Sequence, residues 1–139
     1  MGKPNELSAV GNMNSPKKIL IVDDDHAMGE ELAEALGESG YAVRSAASGE
    51  DALRALAAEP ADLMLVDMKM PGMSGLETAR RVHRDHPGVK TILITASLPS
   101  EMEPALNAEP DLAVIYKPFA IDRLLSRIAA ALAPGENQP

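Results

Sequence analysis

The sequence predicts a single α/β domain: a doubly wound, five-stranded parallel sheet of strand order 2-1-3-4-5 with helices on both faces. Three observations carry that expectation. The chain has 139 residues, the length of one domain with short tails, and enough to bury one ordinary core. From Lys18 onward, short apolar runs alternate with longer amphipathic stretches in the order βαβαβαβαβα, which selects a parallel sheet with right-handed crossovers. Four of the five runs are nearly continuous in apolar residues, as strands covered on both faces should be.

Each element has its own signal. Residues 1–16 carry Gly, Pro, Asn and Ser without periodicity and read as a flexible leader. The first strand is Ile19–Val22. A helix over about Ala27–Glu38 sets Met28, Leu32, Ala35 and Leu36 on one side and ends at Gly37 and Gly40. Tyr41–Ala46 is the second strand. Ser48 with Asp51 resembles a capping box with the shorter acid and opens a helix that ends before Pro60. Leu63–Val66 forms the third strand, and the Met-Pro-Gly turn that follows Asp67 cannot continue it. Ser74 and Glu77 make a better capping box, leading a helix that stops near Pro87. Thr91–Thr95 is the fourth strand. In residues 100–108, Pro104 removes a backbone donor and crowds the preceding turn, so a short helix or an irregular segment is expected. After the fifth strand, Leu112–Tyr116, a last helix over Ile121–Leu132 places Leu124, Leu125, Ile128 and Leu132 at helical spacing before Pro134-Gly135. The domain thus spans 17–133, with residues 134–139 a short tail.

Composition removes several function classes. With 13 Lys and Arg against 21 Asp and Glu, the net charge is -8 and the pI about 4.8, so the basic footprint of a nucleic-acid binder is missing and direct DNA contact is not expected. The chain has no Cys, which removes disulfides, thiolate metal sites and Cys nucleophiles, and agrees with a reducing compartment. There is no apolar run long enough for a membrane span and no signal-peptide pattern, so the expected location is cytoplasmic. His26, His83 and His86 read as surface residues without zinc-ligand spacing.

In a doubly wound sheet, ligands collect at the carboxyl ends of the strands near the topological switch point. Strand 1 ends in Asp23-Asp24-Asp25, whose mutual repulsion asks for a cation or solvent, unless Asp25 simply caps the first helix and the others are solvated. Strand 3 ends in Asp67. Both acid groups can converge on one hard cation such as Mg²⁺. Strand 4 ends in Thr95, by itself an ordinary β-favouring residue, and strand 5 in Lys117, by itself an ordinary solvated charge. At one sheet edge the combination forms a phosphoryl site, with a metal and an ammonium to neutralise oxygens and a hydroxyl to bond a third.

The runs ILIVDDD (19–25), LMLVDMKMPGMSG (63–75), TILITA (91–96) and YKPF (116–119) resemble a receiver domain of a two-component response regulator, in that family's order and at its spacing. The resemblance covers about Lys17 to Ala133. It implies the flavodoxin-like, CheY-like form of the fold. It also implies that Asp67 is the phosphoacceptor, Asp23 and Asp24 the acidic pair, Thr95 the switch hydroxyl and Lys117 the phosphate-pairing lysine. The implied metal is Mg²⁺ (or Mn²⁺), held by Asp24, Asp67 and the backbone carbonyl of Lys69, with Asp23 acting through water. Lys69 and Ser97 stand where the family tunes the phosphoryl lifetime, and the Lys117-Pro118 bond is a candidate cis peptide. The implied partners are a sensor histidine kinase or a histidine phosphotransfer protein, an output protein or effector domain, and a second copy of the chain. The implied activity is a phosphoacceptor's own phosphorylation and dephosphorylation rather than that of an enzyme acting on other substrates.

The chain departs from the pattern in two places. The family's aromatic switch position is Val114 here. Tyr116 lies two residues on, on the same strand face, and reads first as a β-favouring aromatic at a strand end, with partial replacement of the missing aromatic as the second reading. Pro99, Pro104 and Pro110 crowd the segment before strand 5, so an atypical output face is expected. Two other functions compete: a phosphorylation-independent binding module on the same fold, and a haloacid-dehalogenase-type phosphatase using Asp23 as nucleophile and Asp25 as acid/base. A single-domain regulator and a piece of a longer one both fit.

Overall fold

The computed structural model describes residues 15–109 and 111–133; most of the expected leader, the expected tail and Pro110 lie outside them. In chain order the elements are β1 (Lys18–Val22), α1 (His26–Glu38), β2 (Ala42–Ala46), α2 (Gly49–Ala58), β3 (Leu63–Asp67), α3 (Gly75–Asp85), β4 (Lys90–Thr95), a 3₁₀ turn (Ser100–Met102), α4 (Glu103–Asn107), β5 (Leu112–Tyr116) and α5 (Ile121–Leu132). The strands form one parallel sheet in the order β2-β1-β3-β4-β5. No helix among the described residues is long and apolar enough to cross a membrane.

Alternation along the strands builds two cores. On β3, Met64 and Val66 join Leu20, Val22 and Leu93 against Ala52 and Leu56 of α2, Leu76 and Val82 of α3 and Leu106 of α4. Leu63 and Leu65 turn the other way and join Ile19, Ile21, Ile92, Ile94 and Ile115 against Leu32 and Leu36 of α1 and Leu124 and Ile128 of α5. β3 is central, and all five of its residues are buried. β5 is less covered than its apolar sequence suggests: only Ile115 is fully buried, because β5 is an edge strand facing the five-residue α4.

The helix starts follow their side chains. Asp25 accepts the Met28 amide at 3.2 Å, Ser48 the Asp51 amide at 3.0 Å and Ser74 the Glu77 amide at 3.1 Å, each satisfying a donor the helix leaves open. The reciprocal half of the expected boxes is not made. The Asp51 carboxylate pairs with Arg54 and that of Glu77 with Arg81, one helical turn on. At the other end of α2, Arg44 reaches over from β2 and donates to the carbonyls of Ala55 (3.1 Å), Glu59 (2.7 Å) and Pro60 (3.3 Å). Pro104 sits in the first turn of α4, where its missing N–H costs nothing, and the helix stays short. His83 and His86 correct the expectation of surface residues: both are half-buried, while His26 is exposed, and His83 Nδ1 is enclosed without a hydrogen-bond partner among the described residues. Val82 and its neighbours draw that face of α3 onto the sheet, and His83 goes with them.

Candidate functional site

The parallel register brings the strand ends to one edge. Val22 is level with Val66, Asp67 with Ile94, and Thr95 with Tyr116, so the residues that follow β1 and β5 emerge beside the last residues of β3 and β4. Asp67 is buried, at 8% exposure, and its Oδ1 lies 3.0 Å from Lys117 Nζ. Carboxylate oxygens of Asp23, Asp24 and Asp67 all lie within 4.8 Å of one another. Asp23 is half-buried, and its Oδ1 accepts the Asp25 amide at 2.9 Å; Asp24 is exposed. Burial above all, with the neighbouring Asp67 carboxylate, pushes the Asp23 carboxyl above its ordinary value, against the pull of the Asp25 amide and the Lys117 ammonium.

The backbone around Asp67 is fixed by a close approach. A Cβ on Gly75 would stand 2.4 Å from the Asp67 carbonyl oxygen and 2.8 Å from Met68 Cα, so only glycine lets α3 begin this near to the end of β3. The Gly75 amide donates to the Met68 carbonyl at 2.9 Å, and the Met68 amide to the Ile94 carbonyl at 2.8 Å, which ties the turn after Asp67 to both α3 and β4. The role of Gly75 was not read from the sequence. Its signal was a poor helix former at the first helical position, directly after the Ser74 cap.

The remaining expected residues divide into those that join the site and those that flank it. Thr95 is buried, and its hydroxyl donates to the Ser97 carbonyl at 2.8 Å while accepting the Ser97 amide at 3.3 Å, so it is turned to its own loop. Lys69 and Ser97 are exposed on the loops after β3 and β4. Lys117-Pro118 is cis, as the resemblance implied. Val114 and Tyr116 share a face of β5 and line a cavity of about 340 Å3 with Leu98 and Leu106; Tyr116 is 48% exposed at its rim. Asp25 is taken up as the cap of α1.

The donor set fits a small hard cation. Carboxylate oxygens of three residues within 4.8 Å of one another, two on the chain after β1 and one on β3, are the oxygen donors that such a cation takes directly or through its waters. A hydroxyl, an ammonium and an acidic trio on one edge can receive a tetrahedral oxyanion at Asp67, with the cations offsetting its charge.

Residues 19–129 match the family model of the response regulator receiver domain. The response regulator receiver protein CpdR of Brucella abortus is 36% identical over 116 residues, covering 84% of this chain and 97% of its own length. Response regulator MprA of Mycolicibacterium vanbaalenii is also 36% identical, over 118 residues, but this chain spans only about half of that protein, 51%. Among solved structures, the response regulator TrrA of Thermotoga maritima, in complex with Mg²⁺ and BeF, superposes with a TM-score of 0.73 at 36% identity, covering 84% of this chain and 99% of that one.

Proposed function

The chain belongs to the response regulator receiver family, and on that premise we propose that it takes a phosphoryl group onto Asp67 from a histidine kinase or a histidine phosphotransfer protein. One observation carries the proposal: a buried carboxylate at the end of the central strand, 3.0 Å from an ammonium and within 4.8 Å of two further carboxylates. An Asp67 oxygen attacks phosphorus in line. The new O–P bond forms as the P–N bond of the phosphohistidine breaks, and the imidazole leaves with the electron pair. Lys117 follows the charge from the carboxylate to the transferred oxygens. Asp24, Asp67 and the Lys69 carbonyl, with Asp23 through water, would hold Mg²⁺ or Mn²⁺, which supplies charge neutralisation between anionic nucleophile and anionic donor. The TrrA complex, which holds Mg²⁺ with BeF, supports this ligand chemistry for the family.

In this reading Thr95 is the switch. To bond a phosphoryl oxygen its hydroxyl must leave the Ser97 carbonyl, and the loop that carries Ser97 and Leu98 must follow. Val114 is too small to report that motion as an aromatic would, and Tyr116, at the rim of the same cavity, is the ring available to do so. Lys69 and Ser97 flank the phosphoryl position and set how readily water reaches it. The output is a protein contact, to a partner, an effector domain or a second copy, and the chain works in the cytoplasm.

The test is intact mass after incubation with Mg²⁺ and a small acyl phosphate, with and without chelator. A single phosphoryl adduct on wild type, absent from Asp67→Asn and absent with chelator, is the expected result. With no Trp in the chain, mass replaces fluorescence as the readout. No adduct from either a small donor or a cognate kinase, with the fold intact, would turn the reading to the phosphorylation-independent module, which the five-residue α4 favours. The phosphatase reading loses its acid/base, since Asp25 caps α1, and its late acidic pair, since β4 ends in Thr95 and β5 is followed by Lys117.

A further inference from the structure

We propose that the groove between the β3–α3 and β4–α4 loops is a docking site for a short amphipathic segment of a partner protein, one that presents apolar side chains and a single carboxylate. The groove encloses about 560 Å3, and its apolar wall is made by Met68, Met70, Leu98 and Met102. Three of these are methionines, unbranched and polarisable, which adapt their shape to varied apolar side chains. They are only partly buried against the core, so the groove is a surface feature and not a packing fault.

The carboxylate follows from charge. Seven Lys or Arg side chains are paired with carboxylates of this chain, and Arg44 and Arg127 donate to backbone carbonyls. The described cations with neither are Lys17, Lys69 and Arg123, and of these Lys69 alone lines the groove. In a chain of net charge -8, an unspent ammonium beside an apolar wall selects one acid among apolar anchors rather than a strongly acidic segment, which the overall field would repel. Ser97 also lines the groove, and its carbonyl holds the Thr95 hydroxyl, so an occupant that grips this loop bears on Thr95.

The test needs no phosphorylation, so its outcome is independent of the proposed transfer to Asp67. Metal-free protein with ¹³C-methyl methionine is titrated with a short capped peptide carrying leucines at helical spacing, one glutamate and otherwise neutral polar residues. Its glutamine and lysine twins serve as comparisons. The methyl signals of Met68, Met70 and Met102 should shift saturably while Met28, on α1, stays in place, and buried Met64 and Met73 report an intact fold. The glutamine twin should bind about fivefold more weakly, the upper range for one exposed ion pair. Lys69→Glu should prefer the lysine twin, and Lys69→Gln should lose the distinction. Absent shifts, shifts centred on Met28, or equal binding of all twins would overturn the proposal. Shifts that grow with protein concentration without peptide would also overturn it, by giving the groove to a second copy.

Discussion

Asp23 carries its charge at a cost, because burial and the Asp67 carboxylate both favour its protonated form. A folded-state value above the unfolded one means that its contribution to stability is fully present below the unfolded value, 3.8, and is lost as pH rises through the folded value. At pH 7 in chelator the ionised group therefore opposes folding. Asp23→Asn keeps an oxygen for the Asp25 amide and removes the charge, so the urea midpoint should rise at pH 7 and the gain should vanish near pH 3. A midpoint that falls at pH 7 would show that the hydrogen bond outweighs the repulsion. The same variant should bind Mg²⁺ more weakly. Gly75 acts by shape: Gly75→Ala sets a methyl against backbone that cannot step aside, and the steric cost, about 1–3 kcal/mol, exceeds the roughly 1 kcal/mol that alanine gains in helix propensity. Because the crowded atoms belong to Asp67 and Met68, the mass assay should show slower adduct formation together with the lower urea midpoint.

At the scale of elements, the ends decide more than the middles. Arg44 belongs to β2 in sequence and to α2 in energy, since its guanidinium accepts the duty of closing three carbonyls at and beyond that helix's C-terminus. Arg44→Met keeps an unbranched aliphatic stem and removes the donors, and is expected to cost about 1–2 kcal/mol in urea unfolding. An unchanged midpoint would mean that water replaces the guanidinium without loss. α4 is the opposite case. Five residues, a proline in the first turn and no side-chain cap leave it without the means to hold β5 as α2 and α3 hold β1 and β3. The ion pairs Arg80–Glu109 and Lys90–Asp111 fasten the segment that follows it to α3 and β4 instead.

On the scale of the molecule, the two cores share one sheet. Leu65 faces α1 and α5, and Leu93 faces α2 and α3, yet both sit on neighbouring central strands. Leu65→Ala and Leu93→Ala should each lower stability by about 2–5 kcal/mol, and each should leave a single cooperative transition, because neither layer of helices keeps its apolar face covered once the sheet opens. A biphasic transition in Leu93→Ala would show that α2 and α3 melt alone. The exposed pairs Lys18–Glu59 and Arg84–Asp85 lower their acids' values through the partner cation. Their contribution is present above the unfolded values and fades as pH falls.

Much of this was readable in one dimension. The apolar runs, the caps at Asp25, Ser48 and Ser74, and the stops at Gly40, Pro60 and Pro87 act over a few residues, so the element order followed from neighbours in the chain, although α1 runs through Gly37 to Glu38. That Asp23, Asp24, Asp67 and Lys117 would lie at one edge was legible too, because parallel strands in order 2-1-3-4-5 bring their carboxyl ends to the same side of the sheet. What the chain could not state is direction and distance. The Thr95 hydroxyl bonds its own loop, Arg44 closes a helix it does not belong to, Gly75 grazes the carbonyl of Asp67, and Met68 and Met102 line one groove. Local sequence determined the elements and the edge where the chemistry gathers, because propensity, capping and periodicity are short-range. Only the packed tertiary structure decided which atoms touch, because those contacts join residues whose separation in space the sequence does not encode locally.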